Sequence, residues 1–71
     1  MTTDTRKHKA YNFLRSGILE QRFLPGQPLV EDTIANELGM SRTPVREAIR
    51  ELSREGLVYI SPNRRTVVRS L

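Results

Sequence analysis

The sequence contains no cysteine, which removes disulfides and thiolate metal ligands as ways of holding so short a chain together. Its single histidine, His8, offers no second imidazole for a metal site. No apolar run approaches the roughly 20 residues that span a bilayer, and no short apolar stretch follows a basic N-terminus as in a signal peptide. The expected compartment is the cytoplasm, with no membrane partner. Aromatic residues make up only 6% of the chain, too few for the stacking platforms that read single-stranded RNA. There is no glycine-rich phosphate loop, no internal repeat and no low-complexity segment. Nothing calls for a cofactor or for catalysis. Ser41 reads as a helix cap or phosphate donor rather than a nucleophile. Glu47, Glu51 and Glu55 read as salt-bridge partners rather than catalytic carboxylates.

What is present is one small basic domain. A chain of 71 residues buries only about 60% of the surface its unfolded form exposes, so the core must be thin. Twelve Lys and Arg against eight Asp and Glu leave a net charge of +4, which leans toward a polyanionic partner. From residue 36 onward every basic residue is arginine: Arg42, Arg46, Arg50, Arg54, Arg64, Arg65 and Arg69. Arginine is the side chain suited to bidentate recognition of phosphate and guanine, whereas lysine acts as a point charge.

The apolar pattern divides the chain. Residues 1–6 read as a flexible arm. From about Lys7, Ala10, Leu14 and Ile18 fall at helical spacing, and Gly17 is tolerated at about 1 kcal/mol relative to alanine. Leu24-Pro25-Gly26 is predicted to end this helix. Gln27-Pro28-Leu29 reads as a short extended piece with Leu29 facing inward. A second helix is predicted over Glu31–Leu38, with acidic residues in its first turn and Gly39 after its end. Ser41 is a good N-cap. Arg42, Thr43 and Pro44 then open a third helix, which runs to about Glu55 and is stopped by Gly56. Leu57–Ile60 and Thr66–Val68 are β-prone, and the polar turn Ser61-Pro62-Asn63-Arg64-Arg65 joins them as a hairpin. Tyr11, Phe13, Phe23 and Tyr59 read as packing residues. The expected fold is mainly α with a small β-hairpin: three helices plus a wing, a winged helix-turn-helix.

At about 100° per residue, Val45, Ala48, Ile49 and Leu52 share one buried sector of the third helix. Arg42, Thr43, Arg46 and Arg50 lie in the next sector, and Glu47, Glu51 and Glu55 lie beyond it. Like charges at i,i+4 repel by a few tenths of a kcal/mol, so an arginine at every fourth position works against helix stability. One reading is a face for DNA: a major groove about 12 Å wide admits one helix. Ser41, Thr43 and the helix N-terminus would then meet phosphate, and Arg42 and Arg46 would reach base edges. The other reading is a solvated face laced with salt bridges, on a winged helix that docks proteins. The basic hairpin turn at Arg64 and Arg65 favours the first.

The stretch Leu24-Pro25-Gly26, then Leu29 and Ala35, followed by Glu37-Leu38-Gly39-Met40-Ser41-Arg42-Thr43-Pro44-Val45-Arg46-Glu47-Ala48, resembles the GntR family of bacterial transcription regulators. Leu52, Glu55-Gly56-Leu57-Val58 and Pro62-Asn63-Arg64 continue the likeness, which is closest to the FadR-like branch and covers roughly Ala10 to Val68. The resemblance implies a sequence-specific regulator, commonly a repressor, that binds a palindromic double-stranded DNA operator as a homodimer. By position, Ser41, Arg42, Thr43 and Arg46 match residues such proteins use on DNA. Asn63, Arg64 and Arg65 match the wing tip at the minor groove. Two departures stand out. Arg65 occupies a position where the family often has glycine, and Asp32 stands where some relatives carry a basic residue near the start of the second helix. Family members usually continue into a ligand-binding, dimerising domain. This sequence stops just past the wing, at Leu71, and so reads as an isolated DNA-binding module or as a truncated piece of such a regulator, with any effector acting through a C-terminal domain absent from these residues.

Overall fold

In the computed structural model, which describes residues 5–69, the first helix, α1, spans Thr5–Leu19. Ala10, Leu14 and Ile18 form its buried stripe. Two of the six residues assigned to a flexible arm are thus helical, and the rest of that arm lies outside the described residues. The helix also ends earlier than Leu24-Pro25-Gly26. The Gly17 carbonyl accepts hydrogen bonds from the backbone N–H groups of both Arg22 (2.8 Å) and Phe23 (3.1 Å), with Gln21 in the left-handed region at φ 64°. This closure returns Phe23 over the helix end. Its ring occupies the space a Cβ on Gly17 would need and meets Phe13 edge-to-face at 5.9 Å between centroids.

The extended piece does more than connect. Pro28–Leu29 forms a strand, β1, paired antiparallel with Thr66–Val68, β3, which also pairs with Val58–Ile60, β2. The result is a three-stranded sheet of order β1-β3-β2, one strand more than the predicted hairpin. Pro28 lacks an amide donor, and its place on an edge strand accommodates this. Leu29, Val58 and Val68 point to the core.

Glu31–Leu38 forms α2 and Arg42–Arg54 forms α3, with Gly39, Met40 and Ser41 between them. Gly39 takes φ 69°. Its N–H bonds the Asn36 carbonyl and the N–H of Met40 bonds the Ala35 carbonyl, satisfying the last carbonyls of α2 while reversing the chain. Such a turn favours a residue without a Cβ. Ser41 has extended backbone at the head of α3, as its N-cap position requires, but its side chain makes no capping hydrogen bond.

Val45, Ala48, Ile49 and Leu52 of α3 are each at most 2% exposed, and with Ala10, Leu14, Ile34, Ala35 and the strand residues they form one core. The sector predicted from helical periodicity is the buried one. Tyr11, Phe13 and Phe23 pack against this core. Tyr59 does not: it is 40% exposed and lies beneath the Arg69 guanidinium at 5.5 Å.

Candidate nucleic-acid interface

The buried stripe of α3 fixes what the rest of the helix presents. With Val45, Ala48, Ile49 and Leu52 inward, Ser41, Arg42, Thr43, Arg46 and Arg50 are all exposed. The three residues of the turn set the start of α2 beside the start of α3, and this brings acids onto the arginines. The Glu31 carboxylate accepts from Nε of Arg46 at 3.3 Å to each oxygen and from Nη2 at 3.2 Å. The Arg42 Nε lies 3.3 Å from Asp32 Oδ1. The hydrogen bonds and charge of Glu31 hold the Arg46 guanidinium still more firmly protonated than usual. The two arginines closest to the N-terminus of α3 are therefore each held along one edge by an acid from α2. This pairing is not legible in the sequence, where Glu31 and Asp32 stand only as first-turn acids of α2.

The hairpin turn approaches the same region. Ser61 N–H donates to the Arg65 carbonyl at 2.8 Å, Arg64 N–H donates to the Ser61 carbonyl at 2.9 Å, and Arg65 N–H donates to Ser61 Oγ at 3.2 Å. The Ser61 hydroxyl donates to Asn63 Oδ1 at 2.5 Å. Pro62, Asn63 and Arg64 thus form a three-residue loop whose last member, Arg64, is left-handed at φ 65°, the place where such loops favour glycine. Asn63, Arg64 and Arg65 are exposed. Arg64 and Arg65 line a groove of about 510 Å³ together with Arg42, Glu31, Asp32 and Thr66. The helix-borne Arg42 and the wing arginines, separated by some twenty residues of chain, share one open surface.

Arg50 belongs elsewhere. It lines a second groove, about 840 Å³, between α1 and α3 with Lys7, Tyr11, Glu47, Glu51 and Glu55 among its walls. That surface is tied by polar contacts. The Tyr11 hydroxyl donates to the Glu55 carboxylate at 2.7 Å. Lys7 Nζ lies 3.1 Å from Glu51, which also meets Arg54 at 3.6 Å. The Tyr11 phenol is pushed up by its bond to Glu55, and Lys7 holds the Glu51 carboxyl below the usual range. Glu51 and Glu55 of the acidic stripe tie α3 to α1, and Arg42 and Arg50 of the basic stripe line different grooves.

Residues 6–68 match the family described as bacterial regulatory proteins, gntR family. The chain belongs to the GntR family of bacterial transcription regulators. It is 42% identical over 66 residues to an HTH-type transcriptional regulator of Agrobacterium vitis from the TAR-I ttuE-ttuC' intergenic region, covering 93% of this chain and 39% of that one. It is 35% identical to the HTH-type transcriptional repressor RspR of Escherichia coli, covering 97% of this chain and 30% of RspR. This GntR-family chain thus spans well under half the length of these curated relatives. The structure of Lar, which controls expression of the Listeria monocytogenes agr system, superposes with a TM-score of 0.87 at 31% identity, over 99% of this chain and 32% of Lar. The DNA-binding domain of AraR, solved in complex with operator ORR3, superposes at 0.79 with 28% identity, over 89% of this chain and 77% of that one. The three helices and small antiparallel sheet are the GntR winged helix-turn-helix, and the chain is the DNA-binding domain of such a regulator rather than an enzyme. Among the described residues no helix is long and apolar enough to cross a membrane.

Proposed function

We propose that this domain reads a palindromic operator as one half of a homodimer in the cytoplasm, with α3 in the major groove and the wing at the adjacent minor groove, and that the regulator it serves is a repressor. The observation that carries this reading is the shared surface of Arg42, at the first position of α3, with Arg64 and Arg65 of the wing. A helix start and a hairpin tip on one open surface are placed to meet adjacent grooves of one duplex. Arg42 and Arg46 read base edges, because guanine O6 and N7 accept from a guanidinium fork. Ser41 and Thr43, with the unpaired amides of the first turn, hold phosphate and set register. Arg50, set toward the α1 side, takes a flanking phosphate, and Asn63, Arg64 and Arg65 serve the wing contact. A narrow minor groove attracts arginine electrostatically, which suits Arg65 where relatives use glycine. The FadR-like branch is part of the same proposal, on the likeness that runs from about Ala10 to Val68. An effector would act through a further domain that also joins the two half-site readers. Two half-site readers that are not linked lose the avidity of two sites.

Selection of bound sites from a random duplex pool tests this directly. The expected result is enrichment of an inverted repeat with half-sites about one helical turn apart. A pool that remains random after repeated rounds assigns the face to protein docking instead, the use that its internal ion pairs would favour.

A further inference from the structure

The acids opposite Arg42 and Arg46 are out of place on a surface that meets phosphate, since each repels the backbone the arginines attract. Their geometry gives them a use. A guanidinium has five N–H donors in a fixed fork. Glu31 accepts from Nε and Nη2 of Arg46, which is the side edge of that fork. The end edge, with one N–H from each terminal nitrogen, is left without a partner among the described residues. That end edge is a two-donor pair able to meet guanine O6 and N7. Asp32 repeats the arrangement more loosely, on Nε of Arg42 alone. Glu31 is the more enclosed of the two acids, its side chain 28% exposed against 69% for Asp32, so its grip holds the better-defined geometry.

We propose that Glu31, with Asp32 in a lesser part, is a positioning residue for sequence readout: it fixes the side edge of Arg46 so that the end fork faces the base. This rests on the reading of α3 as the recognition helix. The long arginine side chain is ordered before DNA arrives, so less freedom is lost on forming the bidentate contact. The same carboxylate penalises loose binding to phosphate anywhere else. Glu31 thus trades non-specific affinity for discrimination, and the trade separates its role from that of an ordinary surface pair.

The test compares the parent chain, Glu31→Gln, Asp32→Asn and Arg46→Lys on a duplex selected by the parent and on its scrambled counterpart. Glutamine keeps the size of the side chain but loses the charge and the symmetric two-oxygen grip. Glu31→Gln is expected to bind the selected duplex ~5-fold or more weakly, within the range of one lost bidentate contact, while binding the scrambled duplex more tightly. Asp32→Asn shifts the same ratio in the same direction by less. Arg46→Lys, which keeps the charge but has no fork, loses the ratio with Glu31 intact. In an Arg46→Ala background Glu31→Gln no longer lowers the ratio, a coupling that a purely structural role would not show. If Glu31→Gln changes affinity for both duplexes by one factor, the positioning role is wrong while the recognition face stands. If the parent itself fails to discriminate the two duplexes, the recognition face fails first.

Discussion

The ring of Phe23 lies against Gly17, in the space that a side chain at that position would take. Glycine in a helix costs about 1 kcal/mol relative to alanine, so Gly17→Ala on an open surface would stabilise. Here the added methyl meets a ring held in turn by Phe13, and overpacking costs about 1–3 kcal/mol. The clash wins. Gly17→Ala is expected to lower the melting temperature, whereas in a Phe23→Ala background the same change is expected to raise it. Thermal melts of the four proteins check the reversal of sign.

The Lys7–Glu51 pair joins α1 to α3 and makes part of the stability depend on pH. Lys7, by hydrogen bond and charge, lowers the Glu51 pKa from its ordinary 4.5. A carboxyl with a lower pKa in the folded state binds fewer protons there than when unfolded. Its contribution is therefore complete above that ordinary value and fades as pH falls through the folded one. Lys7→Met is expected to destabilise slightly at neutral pH and to flatten the acid limb of the stability curve below about pH 5. Parallel denaturation curves of variant and parent across that limb would contradict the assignment.

Much of this architecture is legible in the sequence because it is periodic or local. The stripe Val45, Ala48, Ile49 and Leu52 is a matter of helical spacing, and Gly39 and Gly56 mark reversals that need positive φ. Other features depend on contacts between distant residues. The end of α1 at Leu19 is set by the return of Phe23 onto Gly17, not by the proline six residues beyond. The third strand needs Pro28 and Leu29 to meet Thr66 and Val67. The basic sector of α3 looks continuous along its own helix. Only the placement of α2 shows that Arg42 and Arg46 face acids, and only the placement of α1 shows that Arg50 turns to a different groove. Candidate DNA-facing residues can thus be proposed from type and spacing, whereas their acidic partners cannot.

The wing separates a backbone role from a charge role in adjacent residues. Arg64 takes left-handed backbone at φ 65°, which costs a residue with a Cβ about 1–2 kcal/mol. Arg64→Gly is expected to keep or raise the melting temperature, the relief offsetting the greater freedom of glycine in the unfolded chain. Arg65→Gly gains no such relief. Both changes remove a cation from the proposed DNA face, so each is expected to weaken binding and to reduce the salt dependence by about one unit for one phosphate contact. Binding isotherms at several salt concentrations measure this, and an unchanged slope takes the residue off the DNA surface.

The central claim is that α3 enters the major groove with Arg46 reading a base. The most direct measurement is the affinity of Arg46→Ala for the selected duplex, for the same duplex changed one base pair at a time, and for a scrambled one. With Arg46 on a base, the expected loss is about 1–3 kcal/mol on the selected duplex, confined to one base position at which the variant no longer discriminates. Arg46→Ala binding every duplex as the parent does, with all base preferences kept, would contradict it.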